Sequence, residues 1–285
     1  MIDLHTHTTA SDGRLSPSQL VARAASAGVT VLAVTDHDTV AACGAVADAC
    51  AKARITFVPG IEITAVLMGD DIHMLGYFFD PQSPALATFL ESQRRRRIDR
   101  VREMVDRLAR FDIHLDVEAI LRPGLEDATK SVGRPWIARA LIAGGHVATM
   151  DEAFDRWLAR DRPAFVPRAA AVPAEVIARI HDAGGIASIA HPGLLGHDEW
   201  IPGFAGAGLD AIEAHHSRHD AETTSHYRLM AERMQLAISG GSDFHGDDSH
   251  GPANPGAVTL PRADFDRLAR GTGLAMNRRR DPSPS

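Results

Sequence analysis

The sequence predicts an α/β fold in which strands and helices alternate at both ends of the chain and a stretch of helices lies between them. Strand-like and helix-like runs alternate from residue 2 to about residue 78 and again from residue 174 to residue 239. In the middle third, apolar residues recur at helical spacing, as they do from Ile98 to Leu108. Repeated βα units imply a parallel sheet covered by helices, either wound open or closed into a barrel.

The predicted elements have recognisable boundaries. Ser16 is the expected N-cap of a helix over 16–27, with Pro17 at its first position and Gly28 just past its end. The other elements predicted before the helical stretch are strands at 2–7, 29–35, 55–58 and 72–78 and a helix at 40–53. Those predicted after it are helices at 174–183 and 223–233 and strands at 186–190, 211–214 and 236–239.

This alternation divides the chain into domains. We expect residues 1–82 and 173–277 to form the barrel domain and residues 83–172 to form an inserted helical subdomain that recognises the substrate. Within the insertion, further helices are predicted at 135–143 and 151–158. The charged, Pro- and Ser-rich residues 278–285 are predicted to be a loose tail.

Composition excludes several classes of protein. A net charge of -7 argues against general affinity for nucleic acid, and no stable binding of a duplex is expected. The arginine run at 94–97 is interpreted mainly as a solvated helix face, with contact to nucleic acid as the alternative. Cys43 and Cys50 offer no disulfide framework, which favours the reduced cytoplasm. No apolar run approaches the ~20 residues of a membrane span, so no membrane partner is expected.

The chain begins MIDLHTHTTASDG, with histidines at positions 5 and 7. Residues i and i+2 of a strand point to the same face, so His5 and His7 are predicted to face the same way. Two imidazoles followed by a flexible turn that contains Asp12 suit a shared metal ion. The alternative is that they are ordinary polar residues on a strand.

Polar residues recur at the ends of the other predicted strands, where α/β folds place their active sites. A lone member such as His73 is easily explained as a core histidine, but a convergence of many is not. The full set of predicted metal ligands is His5, His7, Asp12, His37, Glu62, His73, His191, Asp243 and His245.

Imidazole and carboxylate ligands without thiolate suit zinc, manganese or iron, and this number of ligands can serve two or three divalent ions. Manganese is the predicted cation, ahead of zinc or iron. Three such ions would outweigh three carboxylates and attract an anion such as phosphate. Metal coordination lowers the pKa of bound water from ~15.7 toward ~7, so a bridging hydroxide would be available at neutral pH.

The motifs HTHTTASDG, TDHDT, PGIEIT, IHMLGY, IAHPG and GGSDFHG resemble those of the PHP (polymerase and histidinol phosphatase) family of metal-dependent phosphoesterases, in the wider amidohydrolase group. The resemblance implies a distorted (β/α)7 barrel with three metals at its C-terminal rim. It implies one ion on His5, His7, Glu62 and Asp243, a second on Glu62, His73 and His191, and a third on Asp12, His37 and His245. The attacking hydroxide would be held by Glu62, His191 and Asp243.

The insertion is expected to supply recognition of the substrate. Lys130, Ser131 and Arg134 precede a predicted helix and could cradle a phosphate, although Ser131 could instead be an N-cap among surface charges. His216 and Arg218 could reach a phosphate from the rim, with solvated loop residues as the alternative. Asp12 is also predicted to contact the substrate. His226 and His250 are predicted to be surface residues.

Within the family, GRPWIARALIAGGHV and EAFDRWLARDRPAFVP resemble the stand-alone branch that acts on nucleotides. The resemblance implies removal of the 3'-phosphate from nucleoside 3',5'-bisphosphates, such as adenosine 3',5'-bisphosphate to AMP. The first alternative is a 5'-3' exoribonuclease on short 5'-phosphorylated RNA. More distant alternatives are a histidinol phosphate phosphatase, an amidohydrolase acting on C–N bonds and a metal-dependent binding module. No general acid is evident from the sequence.

Overall fold

The computed structural model describes residues 1–127, 132–246 and 252–278, with side chains as far as residue 270. Its strands are β1 Ile2–Asp3, β2 Val31–Val34, β3 Thr56–Leu67, β4 Asp70–Tyr77, β5 Ile186–Ile189, β6 Ala211–His215 and β7 Ala237–Gly240. Its helices are α1 Pro17–Ser26, α2 Cys43–Ala53, α3 Pro84–Ala109, α4 Val117–Glu126, α5 Arg134–Ala143, α6 Met150–Ala153, α7 Pro173–Asp182, α8 Pro192–Leu195, α9 Ile201–Gly206, α10 Ala221–Arg233 and α11 Arg262–Arg278.

The seven strands form one sheet in the order of the chain, from β1 to β7. The segments that follow β1 and β7 also pair: the amide of His7 donates to the carbonyl of Phe244 at 2.9 Å, and the amide of Asp243 donates to the carbonyl of His5 at 2.8 Å. These bonds bring the two ends of the sheet together. The predicted (β/α)7 barrel is therefore confirmed.

Strand β4 departs from the predicted parallel arrangement. It pairs antiparallel with both β3 and β5, and β3 extends to Leu67 instead of ending near residue 58. Met68 and Gly69 join β3 to β4 with φ angles of 53° and 92°, and positive φ at both central residues is what a tight two-residue hairpin requires. The expectation of an all-parallel sheet was wrong here because Met-Gly is an uncommon hairpin signal.

Helix α1 confirms the predicted capping. The hydroxyl of Ser16 accepts from the amide of Gln19, and the side chain of Gln19 accepts from the amide of Ser16 at 2.9 Å. Pro17 occupies the first turn. The helix thereby places its buried face, which includes Leu20 and Ala24, against the barrel.

Helix α3 connects two separate cores. Its first turns pack Leu86, Phe89 and Leu90 among residues of the barrel, whereas its later residues Ile98 and Val101 belong to a cluster with α4, α5 and α6. This second cluster supports the proposal that residues 83–172 form an inserted helical subdomain. In the part of the chain that the structure describes, no helix has the length and apolar composition of a membrane span.

Candidate metal centre

The side chains predicted as metal ligands all reach one rim of the barrel. They lie just beyond β1, β2, β5 and β7, on β3 and β4, and in the turn that contains Asp12. Because β4 runs opposite to its neighbours, His73 reaches this rim from near the start of its strand. The rim therefore collects residues that are spread over most of the chain.

Glu62 is at the centre of this arrangement, since its carboxylate is 1% exposed and contacts five imidazoles. Its Oε2 lies 3.3 Å from Nε2 of His5 and of His7 and 3.4 Å from Nδ1 of His37, and its Oε1 lies 2.8 Å from Nδ1 of His73 and 3.2 Å from Nε2 of His191. One buried carboxylate thus borders nitrogens from four segments of the chain.

Two more carboxylates lie beside the same imidazoles. Asp243 Oδ1 lies 3.2 Å from Nε2 of His7, and Asp12 Oδ1 lies 3.6 Å from Nδ1 of that ring. Asp12 also approaches Nε2 of His245 at 3.4 Å and Nε2 of His37 at 3.6 Å. The side chain of Asp12 is 53% exposed, so its side of the cluster is open to solvent.

Three groups of these residues have the geometry to hold a cation, with candidate ligand atoms within 4.8 Å of one another. The groups are His7, Asp12, His37 and His245; His5, His7 and Asp243; and His37, Glu62 and His73. His7 and His37 each belong to two groups, whereas the resemblance implied one ion for each of them. The distribution of ligands over ions therefore stays a prediction.

Unpartnered nitrogen atoms support a cation at this position. Both ring nitrogens of His7 and Nδ1 of His73 are buried, and although carboxylate oxygens lie 2.8–3.6 Å away, none of these nitrogens makes a hydrogen bond of acceptable geometry. Buried polar atoms are rarely left unsatisfied, and each such case calls for an explanation. A bound cation would satisfy one nitrogen of each ring, and imidazole nitrogens and carboxylate oxygens are suitable ligands for zinc, manganese and iron. The residues present fit such ions.

The charges at the rim strongly perturb its titratable groups. Burial lowers the pKa of His7, but Asp243 and Glu62 outweigh it and raise that pKa to about 10. Burial raises the pKa of Glu62, yet His37, His73 and other surrounding imidazoles hold it well below its usual range. His37 differs, because burial and the neighbouring His7 lower its pKa to about 4. Charged groups are therefore concentrated at the rim, and a bound cation would change their protonation.

Backbone strain accompanies the cluster. His191 and Asp243 have φ angles of 27° and 55°, which lie in the left-handed region that non-glycine residues seldom adopt. Gly241 permits a close approach, since a Cβ at this position would lie 2.2 Å from the backbone nitrogen of His5. The Gly-Gly-Ser-Asp turn can therefore pack directly against the segment after β1.

Two buried acidic residues support the rim and were missed from the sequence. Asp36 accepts hydrogen bonds from the amide of Thr8 and from the hydroxyls of Thr8 and Ser11, each at 2.7 Å. Glu213 is fully buried and accepts from His5 and His191. In the sequence, each of them is an acidic residue near the end of an apolar strand. That pattern does not distinguish a supporting residue from a metal ligand.

The residues predicted to contact the substrate are dispersed. His216 is buried, its Nε2 lies 3.2 Å from Asp243 Oδ2, and its Nδ1 accepts from the amide of Arg218 at 3.1 Å. Arg218 itself is exposed. Arg134 begins α5, with its guanidinium 5.6 Å from the ring centre of Phe154. Lys130 and Ser131 lie outside the described residues, as does His250, whereas His226 is an exposed residue as predicted.

Arginines of the insertion face the barrel near this rim. Arg97 in α3 forms an ion pair with Asp38, and Arg168 lies 3.3 Å from Asp71. Arg96, Arg97, Arg100 and Arg168 line one pocket. Burial and the charges of Arg134 and Arg168 lower the pKa of Arg100 to about 10. These guanidiniums therefore repel one another, and an anion among them would relieve the repulsion.

Comparison with known proteins identifies this arrangement. The family model of the PHP domain matches residues 3–160. The chain belongs to the PHP domain family. Its relatives include a 5'-3' exoribonuclease Rnm of Salmonella typhimurium, which is 36% identical over 85% of this chain and 84% of the relative. A 3',5'-nucleoside bisphosphate phosphatase of Chromobacterium violaceum is 34% identical over 86% of this chain and 87% of the relative.

A solved structure has the same fold. A crystal structure from Bifidobacterium adolescentis, of a protein assigned to the metal-dependent phosphoesterases, superposes with a TM-score of 0.79 at 30% identity. The match covers 94% of this chain and 95% of that one. The chain is therefore a hydrolase of the metal-dependent phosphoesterase class, with candidate metal sites at the rim of its PHP barrel.

Proposed function

We propose that this PHP protein is a phosphomonoesterase that removes the 3'-phosphate of nucleoside 3',5'-bisphosphates, for example converting adenosine 3',5'-bisphosphate to AMP and phosphate. The observation that carries the proposal is the position of the arginine-lined pocket beside the candidate metal centre. Arg97 pairs with Asp38, which adjoins His37, and Arg168 pairs with Asp71, two residues from His73. Two neighbouring anion sites match a substrate with two phosphates.

In this proposal the metal ligands are the nine residues of the rim, and manganese is the preferred cation ahead of zinc or iron. Bound cations would act as Lewis acids on the 3'-phosphate and lower the pKa of water to about 7. Glu62, His191 and Asp243 would hold the cations that supply the attacking hydroxide. Asp12, the most exposed of these carboxylates, lies where it can contact the substrate.

On the arginine side, Arg134 and the pocket arginines other than Arg97 would hold the 5'-phosphate, because Arg97 is held in its ion pair with Asp38. Guanidinium groups bind phosphate oxygens through paired, charge-assisted hydrogen bonds, and the N-terminus of α5 adds backbone amides next to Arg134. Lys130 and Ser131, immediately before this helix, are proposed to join the same phosphate site. His216 and Arg218 are proposed to border the substrate from the side of β6.

The nucleoside would occupy a cleft between the two phosphate sites. The cleft has a volume of about 260 Å³ and lies beside His73 and His191. Leu194 and Leu195 contribute apolar surface to it, and Asp71 lies on its wall. Apolar surface combined with polar groups that orient the ligand is the usual form of a small-molecule site.

An exoribonuclease on short 5'-phosphorylated RNA is the second candidate. The observation that favours it is the 36% identity with the Salmonella exoribonuclease, similar to the identity with the bisphosphate phosphatase. Both reactions would place one phosphate on the cations and another among the arginines.

Cys43 and Cys50 are buried free thiols, which supports a reducing, cytoplasmic location for either activity.

Product analysis separates the two candidates. Protein loaded with Mn²⁺ is incubated with adenosine 3',5'-bisphosphate or with a short 5'-phosphorylated RNA, and a sample with EDTA serves as the control. We expect free phosphate and AMP from the bisphosphate, and loss of this activity with EDTA. Mononucleotides from the RNA without phosphate from the bisphosphate would establish the second candidate instead.

A further inference from the structure

Glu213 is buried inside the barrel on β6, a strand that carries none of the predicted metal ligands. Its Oε1 lies 2.9 Å from Nδ1 of His5, and its Oε2 accepts the amide of His191 at 2.7 Å. His5 follows β1, which is separated from β6 by β7, so the first contact crosses the barrel interior. Glu213 therefore joins two candidate ligands from different strands.

We propose that Glu213 is a positioning residue that sets the ring orientation of His5 and the backbone of His191, so that both imidazoles face the cations. This inference rests on the proposed metal centre. Glu213 itself makes no contact with substrate in this proposal. Both carboxylate oxygens already accept N–H groups.

The contact with His5 determines which nitrogen is available to a metal. An ionised carboxylate only accepts hydrogen bonds, so the proton of His5 lies on Nδ1, facing Glu213. With a cation bound, Nε2 is the nitrogen left to ligate it, and it lies 3.3 Å from both Glu62 Oε2 and Asp243 Oδ1. Histidine ligands commonly donate their second nitrogen to a carboxylate, which fixes the tautomer and increases the basicity of the ligand.

The contact with His191 supports a strained backbone. His191 has a φ angle of 27° and precedes Pro192, which restricts its conformation further. The short hydrogen bond to Glu213 holds the amide in this geometry, while Nε2 of the ring reaches Glu62 Oε1 at 3.2 Å. Loss of the acceptor would allow the residue to relax and its imidazole to turn away from the rim.

The substitution Glu213→Gln tests this role with almost no change in shape. Two N–H groups point at the side chain, and an amide offers only one oxygen, so its NH₂ group would face a donor. Glu222→Gln is the matched control, because Glu222 is exposed on α10. The first measurement is the affinity of metal-free protein for Mn²⁺ by isothermal titration calorimetry, with circular dichroism to verify folding.

We expect Glu213→Gln to bind Mn²⁺ about 10- to 100-fold more weakly than wild type, and Glu222→Gln to bind normally. Excess Mn²⁺ should restore much of the turnover of the Glu213 variant. Unchanged affinity in folded Glu213→Gln protein would overturn the role of Glu213. Wild-type protein that binds Mn²⁺ but releases no phosphate from the bisphosphate would overturn the proposed function alone.

A second measurement does not depend on folding of the variant. In wild-type protein labelled with ¹⁵N-histidine and loaded with Zn²⁺, NMR should detect a slowly exchanging proton on Nδ1 of His5 and a metal-ligating Nε2. This signal would not arise if Glu213 merely filled space. Ligation through Nδ1 of His5 would contradict the proposal.

Discussion

At the scale of single residues, Glu62 has the most contacts within the candidate centre. Five imidazoles surround a carboxylate that is 1% exposed. Their positive charge holds the pKa of Glu62 well below its usual range in spite of burial. The negative charge of Glu62 therefore offsets much of the positive charge at the rim. Its removal should weaken every proposed metal site.

Glu62→Gln should abolish metal retention and reduce turnover while leaving the barrel folded. We expect phosphate release to fall by more than about 100-fold, the upper range for losing a residue that merely orients a ligand. Metal content by elemental analysis, phosphate release and circular dichroism test this expectation. Normal turnover in the variant would contradict the site, and Glu222→Gln controls for the change in charge.

Arg134 is the residue that tests the second phosphate. We expect Arg134→Ala to lower kcat/KM on the bisphosphate by about 10- to 100-fold, which corresponds to the loss of about 1.5–3 kcal/mol from a hydrogen bond to a charged group. A simple phosphate ester, which has no second phosphate, should be affected much less. Arg139→Ala on the exposed side of α5 is the matched control. Equal losses on both substrates would argue against this role.

At the scale of elements, α3 joins the insertion to the barrel rim. Arg97 forms its ion pair with Asp38, and Asp38 Oδ1 also accepts the amide of Thr64 at 3.1 Å. Asp38 has a φ angle of 54° and directly follows His37. The arginine run at 94–97 is therefore only partly the solvated face predicted from the sequence: Arg95 and Arg96 are exposed, whereas Arg94 donates to the carbonyl of Gly124 and Arg97 supports the turn after β2.

Arg97→Ala should reduce turnover of the bisphosphate and of a simple phosphate ester by similar factors. A displacement of about 1 Å at a reacting centre can cost about 100-fold in rate, and we expect a loss between about 10- and 100-fold. Arg95→Ala is the control, because the Arg95 side chain is 74% exposed and pairs with Glu91 on the same helix. A loss confined to the bisphosphate would show that Arg97 binds substrate instead.

At the scale of the whole molecule, closure of the barrel depends on a buried carboxylate at the start of the chain. Asp3 Oδ1 accepts the amides of His5 at 3.2 Å and Ser242 at 2.9 Å. Its Oδ2 accepts the hydroxyl of Ser242 and the amide of Gly256, both at 2.6 Å. Through these hydrogen bonds Asp3 connects β1 to the segment after β7, where Asp243 lies.

Asp3→Asn should destabilise the protein, because an amide cannot accept from all of these donors. We expect the free energy of unfolding to fall by about 1–3 kcal/mol, the cost of leaving a buried donor unsatisfied. Urea denaturation measures the change, and Asp48→Asn on the exposed face of α2 is the control. An unchanged free energy of unfolding would show that other contacts close the barrel.

The strand and helix alternation and the residues that meet at the rim could be predicted from the sequence, whereas the (β/α)7 barrel was implied by the resemblance to the PHP family. Metal chemistry restricts ligands to a few residue types, and strand ends bring those types to one edge. The antiparallel β4 was missed because Met-Gly is a weak turn signal. It does not alter which residues reach the rim, since His73 arrives there from the start of its strand.

The supporting contacts could not be predicted in this way. His5 and Glu213 are 208 residues apart in sequence, and Ser242 and Asp3 are 239 residues apart. Nothing near Glu213 in the sequence distinguishes a carboxylate that orients a ligand from one that binds a metal. That distinction depends on which atoms surround each oxygen, and these neighbours come together when the barrel closes.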